Sequence, residues 1–351
     1  MAEPQAPLLT VRGLRVAFGR DARPAVAVDG LDFEVRRGEV LGLVGESGSG
    51  KSVSMLAAMG LVDPPGRVGA GLLRFDGVDL LALSARERRR RIGRRISMIF
   101  QDPVASLDPC WTVGDQLREV LAAQRPGPRA ELQARALELM RAVEIPDPES
   151  RLRAWPHQLS GGMCQRVMIA LALAGEPDLL IADEPTTALD VTIQAQIVEL
   201  LRRLQRERGM SMVLISHDLA LVSGIADRVI VMYAGRAMEG GTPRRLFERP
   251  GHPYTRALLA ARPEANLGRR RLAALPGIVP GRGERPPGCV FAPRCPAALP
   301  ACSDAPPQPR PTEEGGFVSC LLAPAGPPPS APVTPLSQGA AGRSAGPDTA
   351  P

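Results

Sequence analysis

The stretch EVLGLVGESGSGKS, residues 39–52, restricts the fold more than any other part of this sequence. Its first half is an apolar run without alternation, as in a strand buried on both faces. A glycine loop follows, and then a helix pattern from about Lys51. A strand that turns through glycines straight into a helix suits a mainly parallel sheet with functional groups at its strand ends. The loop fits G-x-x-x-x-G-K-[ST] from Gly45 to Ser52. Its small residues, Gly45, Ser47, Gly48 and Gly50, let the backbone curl so that successive N–H groups face phosphate oxygens. The helix behind them turns its positive end toward the same charge. Lys51 can reach the β- and γ-phosphates, and Ser52 can ligate Mg²⁺. Lys51 is the single lysine of the chain; all other positions among the 43 Lys and Arg residues are arginine. A guanidinium is a wide planar fork, so the one position that needs a compact cation on a flexible stem keeps lysine.

The chain has 351 residues, enough for one large domain or two ordinary ones. It is 44% hydrophobic but only 3% aromatic, which predicts an aliphatic core packed on a sheet. A net charge of +6 permits contact with nucleic acid or an anionic membrane and demands neither. The N-terminus MAEPQAPLLT lacks the basic start and apolar run of a secretory signal. The longest apolar candidate, VMIALALA at 167–174, falls far short of the ~18 residues of a membrane span. The expectation is a soluble, cytoplasmic chain, with any membrane work done through another chain.

Residues 1–250 alternate strand-like and helix-like segments. DLLIADE (178–184) and MSMVLISHD (210–218) are β-rich runs ending in polar residues, and about 101–175 is helix-rich. VTIQAQIVELLRRLQRERG (191–209) has the apolar spacing of an amphipathic helix and a glycine stop. From 251 to 323 a short helix, HPYTRALLAARP, leads into irregular text rich in proline and cysteine. The tail, 324–351, is proline, glycine, alanine and serine, too poor in apolar residues to fold.

Two further features bear on chemistry. Asp183 and Glu184 end an apolar strand, where the first can hold Mg²⁺ through its water shell and the second can polarise an attacking water. LSGGM (159–163) opens a helix, so Ser160 and the Gly161 and Gly162 amides form a second anion site. One nucleotide does not need two such sites in one domain. The tension disappears if two domains face each other and each closes the other's nucleotide.

In order along the chain, Lys51 in its loop, Gln101 in FQDP, LSGGM, ADEP, TALD (187–190) and His217 in ISHD resemble the ABC-type ATPases. In detail, VGESGSGKS, IFQDPVASLDP, HQLSGGMCQRV and ADEPTTALDVTIQAQI look like the ATP-binding subunits of oligopeptide/dipeptide/nickel importers. HPYTRALL, LPGIVP and GCVFAPRCP resemble the C-terminal extension of that subfamily, which carries the resemblance to about residue 323. The resemblance implies an α/β P-loop fold with a helical subdomain and a small irregular extension, working with ATP and Mg²⁺. It implies that Gln101 senses the γ-phosphate, joins Ser52 and Asp183 about the metal and couples to the membrane partner. Ser160 and Gly162 would contact ATP held by the opposite subunit, and Asp190 would lie at the dimer seam. Glu184 would be the general base, His217 would contact the γ-phosphate and fix the attacking water, and Phe18 would stack on adenine. The implied partners are a second ATPase subunit, identical or homologous, transmembrane permease subunits at the cytoplasmic face of the inner membrane and, indirectly, an extracytoplasmic substrate-binding protein. Cys164 departs from the arginine expected there and makes the start of its helix less positive.

The remaining signals are weaker. RERRRRIGRR (86–95) has no interleaved aromatics, so a solvated helix is the better reading than a nucleic-acid patch, and no nucleic acid is expected. His157 and Trp155 read as structural residues and His252 as a helix start. Cys289, Cys295, Cys302 and Cys320 have no short C-x2–4-C clip of the zinc type. The subfamily resemblance favours a [4Fe–4S] cluster on them; a zinc staple or plain packing stands beside it. A non-transport ABC ATPase in a soluble complex or on nucleic acid is the alternative to the importer.

Overall fold

The computed structural model describes residues 6–19, 24–187, 189–262, 275–281 and 283–323. The expected tail at 324–351 lies outside the described residues. The chain opens with β1 (Leu9–Phe18) and β2 (Ala25–Val35), paired antiparallel. Next come β3 (Val40–Val44), with all five residues buried, and α1 (Lys51–Met59). After them β4 (Arg67–Gly69), β5 (Leu72–Phe75) and β6 (Val78–Asp79) complete an antiparallel sheet ordered β2–β1–β5–β6, with β4 on β1. α2 (Ala85–Arg95) starts on a capping box between Ser84 and Glu87 and leads into β7 (Ile96–Ile99).

A helical block follows: α3 (Val113–Gln124), α4 (Arg129–Ala142), α5 (Pro148–Arg151) and α6 (Gly161–Leu173). The chain then returns to the sheet through β8 (Leu179–Asp183), α7 (Val191–Arg208), β9 (Ser211–Ser216), α8 (Leu219–Ser223), β10 (Arg228–Tyr233) and β11 (Arg236–Gly241). After α9 (Pro243–Glu248) and α10 (Pro253–Ala260), the extension adds β12 (Arg310–Pro311) and β13 (Phe317–Val318).

The second sheet is ordered β12–β13–β11–β10–β3–β9–β8–β7, and β7, β8, β9, β3 and β10 are parallel neighbours. Covered on both faces, its central strands read as unbroken apolar runs, as the sequence predicts. One core lies between the two sheets and around α1; the other joins the opposite face to the helical block and the extension. No helix among the described residues is long and apolar enough to cross a membrane.

Two elements differ from the sequence reading. The N-terminal strands form a separate antiparallel sheet, and the extension is not irregular throughout, since β13 pairs with β11 and lengthens the central sheet. Strands of two residues carry no periodicity to read.

Candidate functional site

The parallel strands end at one edge of the sheet, and the polar residues beyond those ends line one cavity of about 730 Å³. Its walls include residues 46–53 of the glycine loop together with Gln101, Glu184 and His217. Four segments far apart in sequence thus meet at one place. The loop is tight. A Cβ at Gly45 would lie 2.1 Å from the Met232 carbonyl oxygen, and Gly50, at φ +96°, would bring one within 2.8 Å of the Ala27 carbonyl oxygen.

Lys51 is 4% exposed, and its Nζ donates to the carbonyl oxygens of Gly45 (2.7 Å) and Glu46 (3.1 Å). Burial lowers its pKa, opposed by the charges of Glu184, Asp183 and Glu46. Ser52 Oγ donates to Asp183 Oδ1 at 2.8 Å. Burial raises the Asp183 pKa, against the hydrogen bond from Ser52. A hydroxyl beside a carboxylate at the foot of a phosphate loop is a hard-oxygen donor set that suits Mg²⁺.

Glu184 sits one residue past β8 with φ +45°, a conformation that costs a non-glycine residue on the order of 1–3 kcal/mol. Its N–H donates to the Ile215 carbonyl, which pins it to β9. Its carboxylate accepts from Thr187 Oγ1 (2.9 Å) and Gln101 Nε2 (3.2 Å), and Oε2 lies 3.4 Å from His217 Nδ1. The imidazole holds the Glu184 pKa below the ordinary carboxylate value, and the carboxylate in turn raises that of His217. Adjacent acids whose environments push their pKa values in opposite directions are suited to different tasks.

The sign of this coupling can be tested. In an NMR titration of the imidazoles, the His217 midpoint should lie above the ordinary histidine value, and Glu184→Gln should lower it. The chain has only three histidines, and burial holds His252 at about 4, well away from His217.

Other residues singled out from the sequence lie elsewhere. Ser160 caps α6, its Oγ accepting from the Met163 N–H, and Gly161 and Gly162 form the first turn; none of the three lines the cavity. Asp190 is the exposed N-cap residue of α7. Phe18 is not among the cavity residues either: it ends β1 with its ring edge toward Gly66 and packs against the inter-sheet core. Cys164 is buried, with Sγ 3.5 Å from the Pro156 carbonyl oxygen, so it serves packing within the helical block rather than the anion-facing turn. His252 caps α10, its Nδ1 accepting from the Tyr254 N–H.

The four late cysteines lie within electrostatic reach of one another and form no disulfide. Cys289 and Cys302 belong to the main core. Among the described residues no group of three or more His, Cys, Asp or Glu side chains is arranged to hold a metal ion, so the expected cluster finds no support in the geometry.

Sequence reasoning missed the contribution of the extension to the cavity, where Ala257, Leu258, Ala261 and Leu275 form part of the wall. No motif spacing announces it.

Comparisons with known proteins agree with this geometry. Residues 28–187 match the ABC transporter family, and residues 238–302 match the oligopeptide/dipeptide transporter C-terminal region. The chain is 56% identical over 301 residues to the dipeptide transport ATP-binding protein DppD of Haemophilus influenzae, covering 86% of this chain and 91% of that protein. It is 48% identical over 308 residues to the oligopeptide transport ATP-binding protein OppD of Escherichia coli, covering 88% and 91%. Among solved structures, a dimeric post-hydrolysis state of the ATP-binding cassette MJ0796 with ADP and Pi superposes with a TM-score of 0.60 at 27% identity, covering 67% of this chain and 99% of that one. cbiO1 from Clostridium perfringens gives 0.60 at 28%, covering 70% and 93%. With the glycine loop, Glu184 and His217 around one cavity and Asp183 bonded to Ser52, the chain belongs to the ABC transporter ATPases, in the branch that carries the oligopeptide/dipeptide transporter C-terminal region.

Proposed function

We propose that this chain binds and hydrolyses ATP to power a peptide-type importer, for dipeptides, oligopeptides or a nickel-like cargo, from the cytoplasmic face of the inner membrane. The observation that carries the reading is the convergence of Lys51, Ser52, Gln101, Glu184 and His217 around one cavity, with Asp183 hydrogen-bonded to Ser52, in a chain more than half identical to a dipeptide transport ATP-binding protein. We assign ATP turnover to residues 1–250, with a helical part at about 101–175, and partner-specific functions to the extension at 251–323.

Loop amides at Gly45, Ser47, Gly48 and Gly50, with the N-terminus of α1, grip the phosphates, and Lys51 neutralises their charge. Ser52, Asp183 and Gln101 would hold Mg²⁺, which supplies further charge neutralisation at the phosphates. Glu184, kept ionised by His217, accepts a hydrogen bond from the attacking water and orients it in line with the γ-phosphate. His217 donates to the γ-phosphate. The Ser160–Gly162 turn, outside its own chain's cavity, serves ATP held by a facing subunit, with Asp190 at the seam; the dimeric state of the MJ0796 neighbour supports this arrangement. Closure of such a pair on two nucleotides, followed by hydrolysis, would drive a permease between two states. Phe100, Val104 and Trp111, exposed in the segment that follows β7, would offer apolar contacts to that permease. Selectivity then rests with the permease and an extracytoplasmic binding protein.

The four cysteines carry no step of this mechanism. Their thiolate-only donor set is the reason to test for iron and labile sulfide under anaerobic conditions.

The test is to tag the chain, extract native membranes in mild detergent and identify what co-purifies. A multi-spanning permease, with or without a second ATPase subunit, is the expected result. Recovery only from the soluble fraction, with enzyme subunits or nucleic acid, would overturn the importer reading.

A further inference from the structure

The extension and the phosphate loop meet at Glu46, the second residue of the loop. The Glu46 N–H donates to Tyr254 Oη at 3.0 Å, and Tyr254 lies in the first turn of α10. The Glu46 carboxylate accepts from both ends of the Arg294 guanidinium, from Nη1 at 2.7 Å and from Nη2 at 3.2 Å. Arg294 is 8% exposed and its donors are fully used: Nε bonds the Pro276 carbonyl (2.8 Å), Nη1 also bonds Tyr233 Oη (3.2 Å), and Nη2 the Leu275 carbonyl (3.3 Å). Tyr233, at the end of β10, packs at a tilt against Tyr254, with ring centroids 4.7 Å apart, and edge-to-face against Phe291 at 5.2 Å. These are the only two tyrosines of an aromatic-poor chain, and both are fully buried at this spot. The assembly converges on a loop residue outside the set of groups assigned to phosphate, metal or water.

A buried arginine–carboxylate pair is weak evidence for stability, because apolar replacements often do as well. Its bidentate geometry fixes orientation. A glycine-rich loop has the opposite need: it is mobile by composition, and ordering it on binding lowers affinity. We propose that Arg294 and Tyr254 are positioning residues of the nucleotide site, acting through Glu46 to preset the phosphate loop, so that nucleotide affinity depends on the C-terminal extension. The proposal rests on the ATPase reading of the cavity.

Presetting acts on the fraction of molecules whose loop is ready to bind, and the apparent Kd is the intrinsic Kd divided by that fraction. The loop grips phosphates common to ATP and ADP, so both affinities should fall by the same factor. Saturating ATP restores the loop, and Glu184 and His217 are untouched. Turnover at saturation should therefore hold while KM rises.

The experiment uses the full chain and fluorescent ATP and ADP analogues, with a thermal melt for each variant. Tyr254→Phe deletes one hydroxyl and keeps the ring. It should raise both Kd values by about five- to 150-fold, the range for one hydrogen bond whose partner is left unsatisfied. Arg294→Met should have a similar effect and Arg294→Lys a smaller one. The double variant Glu46→Gln/Arg294→Met should bind no worse than the weaker single, since both break one link. Variants that melt like wild type and bind both nucleotides with the wild-type Kd would overturn the proposal. So would a loss of turnover at saturation without a loss of affinity, or effects that multiply in the double. If Arg294→Met does not fold, Tyr254→Phe decides alone. If the wild-type chain itself binds no ATP, the ATPase reading falls and the proposal falls with it.

Discussion

Replacing Glu184 by glutamine is expected to lower ATP turnover by about 10²- to 10⁴-fold while leaving ATP affinity within a few-fold of wild type. The side chains have nearly the same shape, so the substitution can keep a hydrogen bond to Thr187 and its place beside His217. What it removes is a charge that His217 stabilises. A carboxylate held below its ordinary pKa is a weak base in bulk terms. Its contribution is to orient a water and take up its proton as the bond to phosphorus forms, an interaction that exists only on the way to the transition state. Loss of such an interaction lowers kcat and spares ground-state binding. Phosphate release by the purified transporter, beside nucleotide binding to the same preparation, measures both. Turnover near wild type would remove Glu184 from its role and with it the mechanism proposed for this site.

The parts of the site that could be read from the sequence share one property: each lies where a buried strand gives way to polar residues. The loop after β3, Asp183 at the end of β8 with Glu184 just past it, and His217 after β9 stand at the same edge of the parallel strands. An unbroken apolar run marks the strand, and the residue types that follow mark the chemistry. The limit of that approach is strand register: β1 pairs into a second, antiparallel sheet whose register no motif encodes, and that pairing sets Phe18 at the strand end against the inter-sheet core. The bond between Glu46 and Arg294 joins residues 248 positions apart. Each end lies in a readable motif, but nothing local marks the pairing, because the partner is chosen by how the extension packs on β10 and β11. The cysteines show the reverse: a conspicuous pattern in sequence that the fold gathers without arranging it about one metal ion.

Lys51→Arg is the second substitution expected to have a large effect, lowering kcat/KM for ATP by about 10²- to 10³-fold although the formal charge is unchanged. Arginine is what the chain places at its other basic positions, so the variant asks why this one differs. Lys51 is 4% exposed, and its ammonium bonds the Gly45 and Glu46 carbonyl oxygens within the curve of the loop. A guanidinium there must displace backbone, and the loop has no slack, since even a Cβ at Gly45 would meet Met232 at 2.1 Å. Overpacking of this kind costs roughly 1–3 kcal/mol. Burial already draws the lysine pKa down, which an ammonium tolerates and a guanidinium cannot relieve by losing its proton. Lys51→Met separates the two contributions, because it gives up the charge with little change in bulk. If arginine fails as badly as methionine, the site requires the shape of the cation as much as its charge. If arginine instead keeps wild-type affinity and turnover, the loop can open enough to admit the fork, and the single lysine of this chain has no steric explanation.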